Sequence, residues 1–117
     1  MSTVRAVGIY KCPSHLSKDQ FVQKVSLFMD NLMAAPIFKD NVLKYELLVP
    51  NEKAAVERLG IPSDQGTVVI SAEWPSYEVL AKVSSDSHLI QILEGAKEDL
   101  SVHLDSSTFS VDVIRKK

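Results

Sequence analysis

Thr67-Val68-Val69-Ile70-Ser71-Ala72-Glu73-Trp74-Pro75-Ser76 is the stretch on which the fold turns. Up to Trp74 it alternates. Val68, Ile70, Ala72 and Trp74 share one face, and the polar residues Thr67, Ser71 and Glu73 fall on the other. That is the pattern of a strand with one buried side. Pro75-Ser76 stops it and starts a short helix through Val83. Ser84-Ser85-Asp86 breaks that helix, and Asp86 can cap a second one, Ser87 to about Leu100. Leu89, Ile92, Leu93, Ala96 and Leu100 form its apolar stripe. After a turn at Ser106-Ser107, Thr108 to Ile114 reads as a strand, with Phe109, Val111 and Val113 on one side.

The same order precedes residue 67. Val4 to Tyr10 is a strand stopped by Pro13. Ser17 and Gln20 have capping-box spacing, so a helix begins there. Phe21, Val25, Phe28 and Leu32 recur at helical spacing, with Val22, Met29 and Met33 widening the stripe, and Pro36 marks its end. Val42 to Val49 is a strand carrying Leu43, Tyr45, Leu47 and Val49 on one face. Asn51 caps a short helix that ends at Gly60, and Pro62 to Gly66 is a polar loop.

Each long helix thus lies between strands. The expected fold is α+β: a ferredoxin-like sandwich of a four-stranded antiparallel sheet with its helices on one face. The first strand is apolar on both sides, Val7 and Ile9 opposing Val4, Ala6, Gly8 and Tyr10. An open sheet face with an apolar centre predicts a homodimer packed sheet to sheet.

The 117 residues are expected to form one domain, 1–117, large enough for its own core. The net charge of -2, with both signs interspersed, offers no electrostatic footprint for nucleic acid. No apolar run reaches the ~20 residues of a membrane span, and Met1 to Lys11 reads as a strand rather than a signal peptide. The single cysteine, Cys12, excludes an internal disulfide and a thiolate metal cluster. A cytoplasmic location is expected, with no metal.

Leu16-Ser17-Lys18-Asp19-Gln20-Phe21, Leu43-Lys44-Tyr45-Glu46, Ala72-Glu73-Trp74-Pro75-Ser76 and Asp86-Ser87-His88, in this order, resemble the dimeric α+β barrel superfamily, in particular its EthD-like branch. The chain is also similar to the methylmuconolactone methylisomerases and, more loosely, to olivetolic acid cyclases. The resemblance implies a homodimer and a mostly apolar pocket between sheet and helices. It also implies action on small aromatic, lactone or polyketide molecules. Some members bind haem; the expectation for this chain is no cofactor. Similarity to the cyclases puts a catalytic histidine at or beside His88. The EthD-like and methylisomerase pattern has a second histidine where this chain carries Phe28, and the cyclase pattern has a tyrosine near Val83.

The residues themselves leave alternatives open. His88 falls in the first turn of its helix, about 100° from the centre of the apolar stripe, where a side chain can meet a pocket. A helix N-terminus favours neutral imidazole, which can take a proton; the plain alternative is a surface or capping histidine. Tyr45 is either a core tyrosine bonded to backbone or a hydrogen-bond donor to a ligand. Trp74, Tyr10, Phe28 and Met29 are pocket walls in one reading and core in the other. Ala6, Gly8 and Ala72 leave space at the sheet centre, for a ligand or for a close helix.

Two functions follow. One is a cofactor-free cyclase, dehydratase or isomerase that moves a proton on a small apolar compound, with His88 as base and Tyr45 as donor. The other is a non-catalytic homodimer that binds a hydrophobic ligand or serves as a stress-type scaffold.

Overall fold

The computed structural model describes residues 3–50, 66–100, 107–112, 114 and 116. In chain order these form β1 (Val4–Lys11), α1 (Lys18–Met33), α2 (Pro36–Lys39), β2 (Lys44–Leu48), β3 (Thr67–Trp74), α3 (Tyr77–Ser84), α4 (Ser87–Leu100) and β4 (Ser107–Val111). The strands make one antiparallel four-stranded sheet in the order β2-β3-β1-β4. The helices pack on one of its faces. This is the ferredoxin-like α+β architecture that the segment order predicts.

Local chemistry sets the helix starts. The Ser17 hydroxyl accepts from the Gln20 N–H at 3.1 Å, and the Gln20 side chain accepts from the Ser17 N–H at 3.0 Å, completing the capping box. The Ser76 hydroxyl accepts from the Val79 N–H at 3.3 Å, and the Asp86 carboxylate from the Leu89 N–H at 3.1 Å. Each cap satisfies an amide that the helix cannot.

Several boundaries differ from the sequence reading. Pro36 does not merely follow α1; it opens a separate turn, α2, at a position where its missing N–H costs nothing. Val42 is instead tied to that turn, its N–H donating to the Phe38 carbonyl, so β2 begins only at Lys44. Ser107 already belongs to β4 rather than to a turn, and β4 ends at Val111. The short helix expected at 51–60, and the loop after it as far as 65, lie outside the described residues.

Register puts Val68, Ile70, Ala72 and Trp74 on the helix side, opposite Tyr10, Gly8, Ala6 and Val4 of β1. Tyr45 and Leu47 of β2 join the same face opposite Ala72 and Ile70. The buried residues form two clusters. One gathers Phe21, Val25, Met29, Val68 and Ile70. The other gathers Leu32, Ala35, Phe38, Ala72, Trp74, Val83 and Leu89. Phe28 and Tyr45 pack against both.

Candidate functional site

At the second cluster the sheet presents Trp74 from the end of β3 and Tyr45 from β2. Phe38 comes down onto them from α2. The Phe38 ring meets Tyr45 edge-on at 4.8 Å and Trp74 edge-on at 5.1 Å between centroids. Edge-to-face contacts set a positive ring edge against a negative face and fix all three rings. Trp74 is only 3% exposed, and its indole Nε1–H is buried without a hydrogen-bond acceptor among the described residues. Leaving such a donor unpaired costs ~1–3 kcal/mol. Tyr45 holds its proton far more tightly than an exposed tyrosine. Burial is the main cause, and repulsion from the nearby Tyr10 phenol adds to it. It can therefore donate a hydrogen bond near neutral pH and cannot serve as a base.

The small residues foreseen at the sheet centre are neighbours. Ala6 faces Ala72, and Gly8 faces Ile70. Part of the space they leave is taken by Tyr10, whose phenol folds back over Gly8.

A cleft of about 490 Å³ opens between α1 and α4, within the usual range of ligand sites. Half-buried Phe28, Ile92 and Ala96 give it an apolar lining, with Lys24 and the exposed Asn31 and Gln91 beside them. This cleft lies on the outer side of the helix layer, and Trp74 does not line it. Phe28 connects the two places: it lines the cleft and packs against both buried clusters. The stripe of α1 is rotated accordingly. Met29 takes the buried position, 8% exposed, and Phe28 turns to its edge.

His88 is exposed, in the first turn of α4. It does not join Tyr45 and Trp74 in the interior. Helical geometry sets it on the stripe of Gln91 and Gly95, one turn before the cleft residues, while the buried stripe runs through Leu89. Tyr45 and Phe28 thus pack against the cluster that holds Trp74, Tyr10 packs against the other cluster, which holds Met29, and His88 joins neither. Sequence reasoning missed Phe38, because the short helix that carries it was not foreseen. Pro36, followed by Ile37 and Phe38, was the available signal. Among the described residues no cluster of three or more His, Cys, Asp or Glu could hold a metal. No described helix is long and apolar enough to cross a membrane.

The sequence matches no protein-family model and no curated protein. Solved structures do share the fold. SnoaB from Streptomyces nogalater, described as a cofactor-independent oxygenase, superposes with a TM-score of 0.64 at 11% identity, over 99% of this chain and 97% of that one. A protein from Deinococcus radiodurans, provisionally called an antibiotic biosynthesis monooxygenase, gives 0.62 at 14% identity, over 97% and 95%. Rv0793 from Mycobacterium tuberculosis gives 0.63 at 11% identity, over 98% of each. What this chain shares with these proteins, across nearly its full length, is the ferredoxin-like α+β fold.

Proposed function

We propose that this protein binds a small, planar, oxygen-bearing apolar molecule between its helices and its sheet, as a dimeric α+β barrel. The observation that carries the reading is the Nε1–H of Trp74, buried without an acceptor among the described residues. A buried donor without an acceptor is costly, and a ligand oxygen would satisfy it. Tyr45, kept protonated, supplies a second donor. In this reading Tyr10, Phe28 and Met29 would wall the space, with Phe28, which lines the α1–α4 cleft and packs against both clusters, between the two. No charged side chain is buried among the described residues, so the interior suits a neutral molecule or a charge spread over an aromatic oxygen.

Trp74 is the only tryptophan, so its fluorescence reports this site alone. Titration with 1-hydroxyanthraquinone is expected to quench it saturably. Emission unchanged up to the solubility limit of that quinone would refute the reading.

A second reading adds catalysis without a cofactor. Proton transfer would cyclise, dehydrate or isomerise a compound held in the α1–α4 cleft, with His88, exposed one helical turn before the cleft residues, as base. The likeness of fold to SnoaB, described as a cofactor-independent oxygenase, favours oxygenation instead. Oxygen uptake by protein plus an anthrone, lost in His88→Ala, supports the oxygenase form; turnover without uptake supports the other. Binding with no turnover leaves the ligand carrier. The EthD-like branch belongs to this proposal on its segment order, although Phe28 replaces that branch's histidine.

The homodimer is part of the same reading. On the open sheet face Leu48, Val69 and Ile9 form one row, and Val7 and Phe109 lie in the next. Leu48 and Phe109 are 51% and 45% exposed. Beyond them Lys44, Glu73 and Arg5 alternate in sign across three strands. A second copy laid across this face by a two-fold axis would cover the apolar rows. Sedimentation is expected to give twice the chain mass at micromolar concentration; the mass of one chain would exclude it.

A further inference from the structure

Gly95 stands inside α4, although glycine is the least favourable helix residue after proline. Nothing in the packing calls for it. A β carbon built there would meet no described heavy atom within 4 Å, so the helices do not need a glycine to approach each other at that point. Its backbone is not left-handed either. Gly95 does line the cleft of about 490 Å³ between α1 and α4, so a side chain at position 95 would take space from that cleft.

The cleft has two unlike ends. Ala96 packs against the cluster of Phe21 and Val25, whereas Leu89 lies in the cluster of Leu32 and Ala35, with Ile92 packed against it. The two helices therefore run antiparallel. Gly95 and Ala96 lie toward Lys24, and Gln91 lies toward Asn31. Among the described residues neither the Asn31 nor the Gln91 carboxamide has a hydrogen-bond partner. Each brings N–H donors and a carbonyl acceptor. Half-buried Phe28 and Ile92 supply the apolar wall. Lys24 is the only charged residue among those lining the cleft, so a cation is disfavoured there. The volume suits a small molecule.

We infer that the α1–α4 cleft is a binding site in its own right for a small neutral aromatic amide, with the ring beside Phe28 and Ile92, the amide at Asn31 and Gln91, and the room left by Gly95. An amide matches two carboxamides because it also donates and accepts. The site goes beyond the one at Trp74, which does not line this cleft, and it needs no base at His88.

The test uses 2-naphthamide as probe, read by 15N–1H spectra, with urea midpoints for each variant. Saturable shifts are expected at the Gly95 backbone amide and at the side-chain amides of Asn31 and Gln91. Gly95→Leu is expected to keep or raise the midpoint, since a better helix former enters open space, and to abolish binding of the probe. Gln91→Ala is expected to keep the midpoint and weaken binding ~3–10-fold, the loss of one hydrogen bond. Quenching of Trp74 by 1-hydroxyanthraquinone is expected to survive Gly95→Leu, so failure of either site can be told from failure of the other. Wild-type binding of the naphthamide by Gly95→Leu would overturn the cleft as its site. A midpoint lowered by Gly95→Leu would overturn the open space at position 95. A wild-type spectrum unmoved by the naphthamide would overturn the ligand class.

Discussion

The two ends of the core are built to different ends. Under the first half of α1, Phe21, Val25 and Val68 are 0–1% exposed, in a cluster whose buried members, with Met29 and Ile70, carry no side-chain nitrogen or oxygen that needs a partner. At the other end Phe38 meets Tyr45 and Trp74 edge to face, bringing an indole N–H without an acceptor among the described residues and a half-buried phenol into the same layer. The first arrangement maximises apolar burial and packing. The second accepts an unsatisfied donor where an aliphatic residue would carry no such cost. That difference teaches where to look for function: on the proposed reading, stability is concentrated at one end and recognition at the other. Phe28 and Tyr45, which pack against both clusters, join them.

The largest effect is expected at the aliphatic end. Phe21→Ala should cost ~3–5 kcal/mol of unfolding free energy, transfer and cavity terms together, measured by urea unfolding. A loss below ~1 kcal/mol would break the contrast, since the dry end would then not be the anchor.

The next effect is a pH slope at the recognition end. Tyr45 loses its proton in the unfolded chain near the ordinary value of 10.0 and only at higher pH when folded. Above about pH 10 the folded state therefore holds a proton that the unfolded state has released. Tyr45 contributes its full stability below that pH and loses it as pH rises further, by up to ~1.4 kcal/mol per pH unit. Tyr45→Phe should flatten the fall in stability above pH 10 by one proton's worth. An identical slope in both proteins would mean that Tyr45 is not buried as described.

The smallest effect sharpens the comparison most. Trp74→Phe keeps an aromatic ring and deletes the donor. Quinone binding should weaken ~3–10-fold, as for one lost hydrogen bond, while the urea midpoint falls far less than in Phe21→Ala. Equal loss of stability in the two variants would show that Trp74 is an anchor like Phe21.

Much of this architecture was legible from periodicity and caps. The alternation from Thr67 to Trp74, the Ser17–Gln20 box and the Asp86 cap are local signals, and each settled in structure as read. What was illegible depended on neighbours. Phe28 fits the α1 stripe by spacing alone, and only the position of α4 turns it to the cleft edge. His88 lies about 100° from its stripe, an angle that serves equally for pocket and solvent; packing left it in solvent. The space over Ala6, Gly8 and Ala72 could be foreseen, because small residues on adjacent strands leave room. That Tyr10 would lie down into it could not, since the ring's direction depends on a rotamer. Phe38 was missed because a single helical turn has too few residues to show a period.

The central claim is that the Trp74 indole N–H awaits an acceptor oxygen. With one tryptophan in the chain, a 15N–1H spectrum contains one indole resonance. Addition of 1-hydroxyanthraquinone is predicted to shift that resonance downfield, saturably, as the proton enters a hydrogen bond. An indole signal that stays in place while the quinone binds elsewhere would contradict the account.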